Sequence, residues 1–360
     1  MTNPLGPNPP RILLIRLRAI GDVVLITPLI RALKKNHPEA ELHVLTDALP
    51  GTLLSGNPYV DRLWTAPARQ APFFEQIRFL RSLRSAHFGY AFDLFGNPRS
   101  AWMTLATGAP LRVGYAYRVR RFAYTHPVPM NHARRYQVEV NLDVLRHVGI
   151  PDDGTRTELF LRDEEKSWAQ GELDRIGWGP QGKRIALNPT GSWSAKRWPE
   201  DHWTGLADSL AEKGLRPLVF WTPGDPEGVL PWAEKMGKKV LLAPPTDLRQ
   251  MASILSHLDL LVGNDGAPQH IAQALGTRTL TVFGPTWGKS WMPPDDSRHQ
   301  FIQHFLDCGP CDKTLCPYPE PPEKALHEHR ECLKRITPEE VMVKISEMLS
   351  GNAEGRAPKA

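Results

Sequence analysis

This 360-residue chain has no hydrophobic segment at its start long enough to cross a membrane. Met1–Pro10 carries no charged side chain and is rich in proline, and the apolar run Ile12–Ile15 stops at Arg16 and Arg18. Neither a signal peptide nor a membrane helix can be built from such a stretch, so a soluble, cytoplasmic protein is expected. Acidic residues are missing altogether between Asp93 and Glu139, where Arg99, Arg112, Arg118, Arg120, Arg121, Arg134 and Arg135 fall. Such a stretch is either a solvated surface with its counterions or a field that concentrates an anionic partner: a phosphorylated sugar, an acidic lipid head group or nucleic acid. Tyr115, Tyr117, Phe122 and Tyr124 are interleaved with it and could stack on bases or sugars, but no nucleic-acid-binding motif accompanies them. A small or lipid-linked anion fits better. Cysteine is scarce, and Cys308, Cys311, Cys316 and Cys332 all lie in one short segment.

With 41% hydrophobic and 23% charged residues, the composition is that of a globular protein, neither disordered nor membrane-embedded. The length suits two α/β domains of roughly 150 to 180 residues each. In the first half, strands are expected at Arg11–Arg16, Glu41–Leu45, Asp61–Trp64 and Tyr90–Leu94, with helical patterns at Asp22–Lys35, Phe74–Arg84 and Tyr136–Val148. Strands alternating with helices imply a parallel sheet covered on both faces. Gly149 and the turn-like Pro151-Asp152-Asp153-Gly154 place a domain boundary after residue 150. The pattern restarts with strands at Arg184–Leu187, Pro217–Phe220, Val240–Leu242, Leu258–Gly263 and Thr279–Phe283, so the second domain is expected over 151–350. The small polar tail 351–360 reads as disordered. No repeat is visible at the level of residues, although the two halves suggest a duplicated architecture.

Chemistry-bearing loops follow several strands. Arg18-Ala19-Ile20-Gly21-Asp22 joins the first strand to the first helix, where open α/β sheets bind ligands. Asp22 there is either a helix cap or a carboxylate able to accept a proton from a hydroxyl nucleophile. After the first strand of the second half comes Asn188-Pro189-Thr190-Gly191-Ser192-Trp193-Ser194-Ala195-Lys196-Arg197-Trp198-Pro199. Its hydroxyls, backbone N–H groups and cations suit phosphate oxygens, but it lacks the Gly-Lys-Ser/Thr ending of a Walker loop and reads equally as an ordinary basic loop. In Gly263-Asn264-Asp265-Gly266-Ala267-Pro268-Gln269-His270, Pro268 fits a first helical turn and Gly266 permits close approach of a ligand, so a diphosphate is the natural occupant of that helix start. Asp265 would accept hydrogen bonds from a hydroxyl or from the loop, and His270 is either a phosphate donor or structural. Asp225 and Glu227, after another strand, qualify as acceptors for ribose hydroxyls. The cysteine spacing could close a tetrahedral structural zinc site; disulfides and free thiols remain the alternatives.

The ordered set Arg11-Ile12-Leu13-Leu14-Ile15-Arg16, Ile20-Gly21-Asp22-Val23-Val24, Thr27-Pro28, Lys196-Arg197-Trp198-Pro199, Asn264-Asp265-Gly266 with His270, Phe283-Gly284-Pro285-Thr286 and Cys308-Gly309-Pro310-Cys311 resembles the ADP-heptose:lipopolysaccharide heptosyltransferases, from about Arg11 to Met348. The resemblance implies the GT-B fold, two Rossmann-like domains with a cleft between them, and inverting, metal-independent transfer from a nucleotide sugar to an anionic lipid-linked glycan. It implies Asp22 as general base and Lys196 as the cation on the leaving diphosphate, aided by Thr190 and Ser192. Asp265, Gly266, Ala267 and His270 would form the diphosphate edge, and Glu227 would hold the ribose. Arg18, Arg118, Arg120 and Arg121 are expected to meet the acceptor, with peripheral contact at the inner membrane. Many family members carry a hydroxyl residue after the aspartate where this chain has Gly266, so backbone contacts are expected there. Rival readings are a nucleotide-sugar epimerase of the same architecture and a non-catalytic nucleotide- or nucleic-acid-binding module.

Overall fold

The computed structural model describes residues 11–131, 133–178, 182–222, 228–316 and 330–350; the tail 351–360 lies outside them. Twelve strands are found among the described residues, in two separate sheets. The first unit contains β1 (Arg11–Ile15), β2 (Glu41–Thr46), β3 (Arg62–Thr65), β4 (Tyr90–Asp93), β5 (Leu111–Tyr115) and β6 (His126–Val128), in the order β3-β2-β1-β4-β5-β6. The second contains β7 (Ile185–Asn188), β8 (Leu218–Val219), β9 (Leu241–Leu242), β10 (Leu260–Asn264), β11 (Arg278–Phe283) and β12 (His299–Gln303), in the order β12-β11-β10-β7-β8-β9. Every pairing is parallel. Each unit therefore starts at the middle of its sheet, walks to one edge, returns beside its own first strand and walks to the other edge. This is the doubly wound Rossmann-like α/β order, and it occurs twice.

The central strands explain themselves: Leu13, Leu14 and Ile15 of β1 and Leu260, Leu261 and Val262 of β10 are fully buried, the unbroken apolar run that a parallel strand covered on both faces requires. The helical stretch expected at Asp22–Lys35 is instead two helices, Ile20–Val24 and Thr27–Asn36. Thr27 Oγ1 donates to the Val24 carbonyl at 2.8 Å, and Pro28, without an N–H, starts a fresh turn. The acid-free stretch carries more structure than its charge pattern suggests: a helix over Pro98–Thr107, β5, a tight 3₁₀ segment at Arg118–Ala123, and β6.

The units part between Phe160 and Leu161 instead of after residue 150. The helix Gln137–Arg146 does stop near Gly149, in a left-handed conformation with φ 73°. The segment beyond it nevertheless stays tied to the first unit. Buried Arg31 pairs with Asp153 at 2.9 Å and Glu158 at 3.1 Å, Thr27 Oγ1 accepts from the Glu158 N–H, and Asn36 Nδ2 donates to the Pro151 carbonyl. The second unit's core is built around Trp198, Trp203, Leu206, Leu333 and Ile345, and helix 338–350 packs on helix 200–212.

Helix Asp163–Arg175 is tied to helix Leu248–Leu255 by a two-pronged ion pair, Arg249 Nε to Glu165 Oε1 at 2.9 Å and Arg249 Nη2 to Glu165 Oε2 at 2.5 Å. The hydrogen bond from Arg249 outweighs desolvation and holds the Glu165 carboxyl down at about 2. A depressed carboxyl contributes stability above its ordinary pKa of 4.5 and loses it as pH falls towards 2. Glu165→Gln should thus destabilise this unit by about 1 kcal/mol at neutral pH. In urea melts the gap from wild type should narrow steadily below pH 4.5; a gap independent of pH would refute the ionic account.

Candidate active site

In the first unit the loop after β1 and the loop after β4 leave side by side, because Ile15 is paired with Asp93 in the sheet. Asp22 occupies the third position of helix Ile20–Val24. Its Oδ2 accepts from the Ala19 N–H at 3.0 Å and pairs with Arg16 Nη2 at 2.6 Å. Oδ1 has no partner among the described residues. The capping reading of Asp22 is thus filled by one oxygen alone. Arg16 uses Nη2 on Asp22 and Nη1 on the Leu94 carbonyl, leaving its buried Nε without a partner among the described residues, whereas Arg18 is exposed and lies 6.0 Å over the Phe95 ring.

Asp93, at the end of β4, has a structural role that charge counting in the sequence did not reveal. Its buried Oδ1 accepts from the N–H groups of Phe95 and Gly96, and Oδ2 accepts from the Tyr124 hydroxyl at 2.8 Å. Burial pushes this carboxyl up, against the hydrogen bonds that favour its ionised form. Asp93 thus shapes the loop on which Arg16 and Arg18 rest.

In the second unit β7 and β10 are neighbours, and their following loops meet. Asn264 clasps the first of them: Nδ2 donates to the carbonyls of Pro189 and Thr190, and Oδ1 accepts from the Trp198 N–H at 3.0 Å. Lys196 Nζ lies 2.6 Å from Asp265 Oδ2 and 4.3 Å from the centre of the Trp193 ring. The same Asp265 oxygen accepts from the Thr286 hydroxyl at 2.6 Å, so the acceptor role expected of Asp265 is filled from inside the protein. Gly266 precedes helix Ala267–Ala274, whose first turn holds Pro268. Lys196, Asp265 and the start of this helix are therefore assembled in one place, where a cation and the positive end of a helix suit a diphosphate.

Other expected residues fall differently. The Thr190 hydroxyl is turned to Asn188 Oδ1 at 2.7 Å, and Ser192 is exposed on the loop. His270 is buried, 3.4 Å from Gln273 Oε1, with its ring facing Trp291. Glu227 and Asp225 lie outside the described residues. Arg120 stacks on Tyr117, and Arg121 is exposed on the segment that also holds Arg118. Thr286, Trp193 and Asn264 emerge only in three dimensions; each sits within a motif visible in the sequence, but nothing there marked its partner.

The four cysteines line one cavity of about 390 Å³ together with Arg330, Gly284 and Pro285. Burial, then the other three sulfurs, pushes the Cys332 thiol up to about 11. No three His, Cys, Asp or Glu side chains among the described residues are placed to hold a metal ion. The segment braces the Lys196 loop: Arg330 Nη1 donates to the carbonyls of Ser194 and Arg197, and the Ala195 N–H donates to the Thr314 carbonyl.

Comparison with known proteins bears on the family and the fold. The family model described as glycosyltransferase family 9 (heptosyltransferase) matches residues 76–320. Lipopolysaccharide heptosyltransferase 3 of Escherichia coli (strain K12) is 28% identical over 302 residues, covering 79% of this chain and 86% of that protein. The crystal structure of a family 9 glycosyl transferase from Veillonella parvula DSM 2008 is similar with a TM-score of 0.80 at 21% identity, over 95% of this chain and 97% of that one. An E. coli heptosyltransferase solved with ADP-2-deoxy-2-fluoro heptose is similar with a TM-score of 0.67 at 20% identity, over 94% of this chain and 99% of that one.

Two glycines, one within β10 and one in the loop after it, should respond differently to alanine. A Cβ on Gly263 would lie 2.5 Å from Gln269 Nε2 and 3.2 Å from the Asn188 carbonyl, whereas one on Gly266 meets nothing closer than 3.7 Å. Gly263→Ala is expected to cost about 2 kcal/mol or more in thermal unfolding. Gly266→Ala should stay within about 0.5 kcal/mol of wild type, yet weaken ADP binding in calorimetry by about tenfold through crowding of the helix start. Equal effects on folding would show that Gly266 is kept for the fold.

Proposed function

The chain belongs to glycosyltransferase family 9, the heptosyltransferases, and from that premise we propose that it transfers a heptose from ADP-heptose to the core of a lipopolysaccharide acceptor, inverting the anomeric centre. The observation that carries this is the double use of one architecture. The candidate base and the candidate diphosphate site each lie at the switch point of a doubly wound sheet, after β1 and beside β4 in one unit, after β7 and β10 in the other.

In the proposed reaction the acceptor hydroxyl attacks the anomeric carbon and gives its proton to Asp22. The new carbon–oxygen bond forms as the bond from the anomeric carbon to the ADP oxygen breaks, and ADP leaves with that electron pair. Lys196 meets the charge that develops on the diphosphate. Its ammonium has three N–H donors and uses one on Asp265, so others remain for phosphate oxygens while the pair fixes its position. Glu227 would hold the ribose. A cation and a helix start facing the diphosphate supply the charge stabilisation that a metal gives in other enzymes, and on this reading transfer needs no metal.

The acceptor is taken to be lipid-linked, which sets the enzyme at the cytoplasmic face of the inner membrane. No helix among the described residues is long and apolar enough to cross a membrane. An epimerase is not favoured, because the family match and the curated relatives above are heptosyltransferases. A structural zinc on the four cysteines remains part of the proposal; it would require the sulfurs around the shared cavity to draw closer together than they are here.

Acceptor-dependent release of ADP from ADP-heptose should be seen with wild type, and Asp22→Asn should lower kcat by roughly 100-fold, the scale of a lost general base. Affinity for ADP should be unchanged in the variant. A variant with full kcat would remove Asp22 from the chemistry, and a wild type that binds ADP but transfers nothing would mean the sugar or acceptor is wrong. Brief treatment with a chelator should leave the rate as it was, whereas elemental analysis of the purified protein should find about one zinc per chain; metal-free protein of full activity would retire the zinc.

A further inference from the structure

Large apolar side chains exposed singly are ordinary, but contiguous ones mark contact surfaces. In the first unit Trp102, on helix Pro98–Thr107, is 57% exposed and Phe122 is 51% exposed, with their rings 5.4 Å apart. Val119, 82% exposed, lies three residues before Phe122 in the 3₁₀ segment Arg118–Ala123. With three residues per turn, that spacing puts Val119 and Phe122 on the same side. The result is a ridge of apolar side chains pointing into solvent.

The ridge is held firmly from below. Ala101, Ala123 and Tyr124 form a small buried cluster beneath it, with Leu105 packed against them. Arg112 Nε donates to the Ala123 carbonyl, and the Tyr124 hydroxyl is anchored on Asp93. A protein that spends buried contacts on presenting exposed aromatic rings is presenting them to something.

Charge identifies the occupant. Exposed Arg121 and Arg120, which stacks on Tyr117 with its Nε buried, share the 3₁₀ segment with the ridge, and neither forms an ion pair among the described residues. No acidic residue occurs anywhere between Asp93 and Glu139. Aromatic rings that enter the head-group layer, flanked by arginines that meet its phosphates, are the chemistry of an interface with an anionic bilayer. A second copy of the same face would instead bring like charges together.

We infer that Trp102, Val119 and Phe122, with Arg120 and Arg121 beside them, form a docking ridge that seats this unit on a phospholipid surface bearing anionic head groups. The inference deepens the proposed reading of a lipid-linked acceptor, because it names the surface that would bring the enzyme to such a substrate. Its test reads lipid binding directly, so it stands or falls separately from the identity of the sugar.

The full-length protein would be sedimented with vesicles of phosphatidylcholine alone and of phosphatidylcholine mixed with phosphatidylglycerol. Wild type should partition onto the mixed vesicles at least about tenfold better than onto the neutral ones. The double variant Trp102→Ser/Phe122→Ser should lose about tenfold or more of that binding, and so should Val119→Asp, which sets a negative charge at the tip of the ridge. Both should keep the wild-type affinity for ADP in calorimetry, because the proposed donor site is built on the loops after β7 and β10, in the other unit. Failure of wild type to bind the mixed vesicles would overturn the inference, as would undiminished binding by both variants. Loss of a wild-type dimer in either variant would assign the ridge to self-association, and ridge-dependent retention of single-stranded DNA at physiological salt without vesicle binding would assign it to nucleic acid.

Discussion

The lateral pairing of β7 with β10 is the constraint on which the candidate donor site rests. Asn188 ends one strand and stands beside Gly263 of the other, so two loops far apart in sequence begin next to each other. Gly263 is what allows the approach, since a side chain there would strike Asn188 and Gln269. The next residue, Asn264, then uses one amide group to bind the loop on the far side at both ends, through the Pro189 and Thr190 carbonyls and the Trp198 N–H. Lys196 is carried by the clasped segment and Asp265 follows the clasp. Their contact is a consequence of strand order before it is a consequence of charge.

The Lys196–Asp265 pair is nearly buried, with 13% and 6% of the two side chains exposed. A pair in such a place is a poor source of stability, because desolvation of both ions offsets most of their attraction. It is a good source of position. The Thr286 hydroxyl holds the same aspartate oxygen, and the Trp193 ring lies against the ammonium, so the lysine is oriented from two sides before any ligand arrives. An anion entering here finds a cation that needs little further ordering, in a setting that screens it less than water does.

The alternation of strands and helices, and the strand-end loops that carry Asp22, Lys196 and Asp265, were legible in the sequence because parallel sheets leave continuous apolar runs followed by glycine-rich turns. Less legible were features that depend on a partner distant in the chain. The break between helices Ile20–Val24 and Thr27–Asn36 is hidden inside a good helical pattern. The unit boundary shifts because Arg31, in that second helix, reaches Asp153 and Glu158. Thr286 reads as one more loop hydroxyl until β11 is placed beside β10. The cysteine spacing, which resembles a metal motif on paper, corresponds to thiols that share a cavity without closing on a single point.

The acid-free stretch shows why a charge pattern cannot be read as one surface. Arg99 donates to the Pro67 carbonyl, Arg112 donates to the carbonyls of Ala109 and Ala123, and Arg135 is paired with Asp143. A guanidinium bound to backbone carbonyls replaces an absent tertiary contact, and it cannot turn to an external anion without loosening the fold. What that stretch leaves outward is narrower: Arg121 is exposed beside the aromatic ridge, while Arg120 stacks on Tyr117 with its Nε buried. Outside the stretch, Arg18 is exposed beside the loop of Asp22, over the Phe95 ring. An apparently uniform run of arginines thus divides into ties within the fold and cations next to an exposed aromatic ridge.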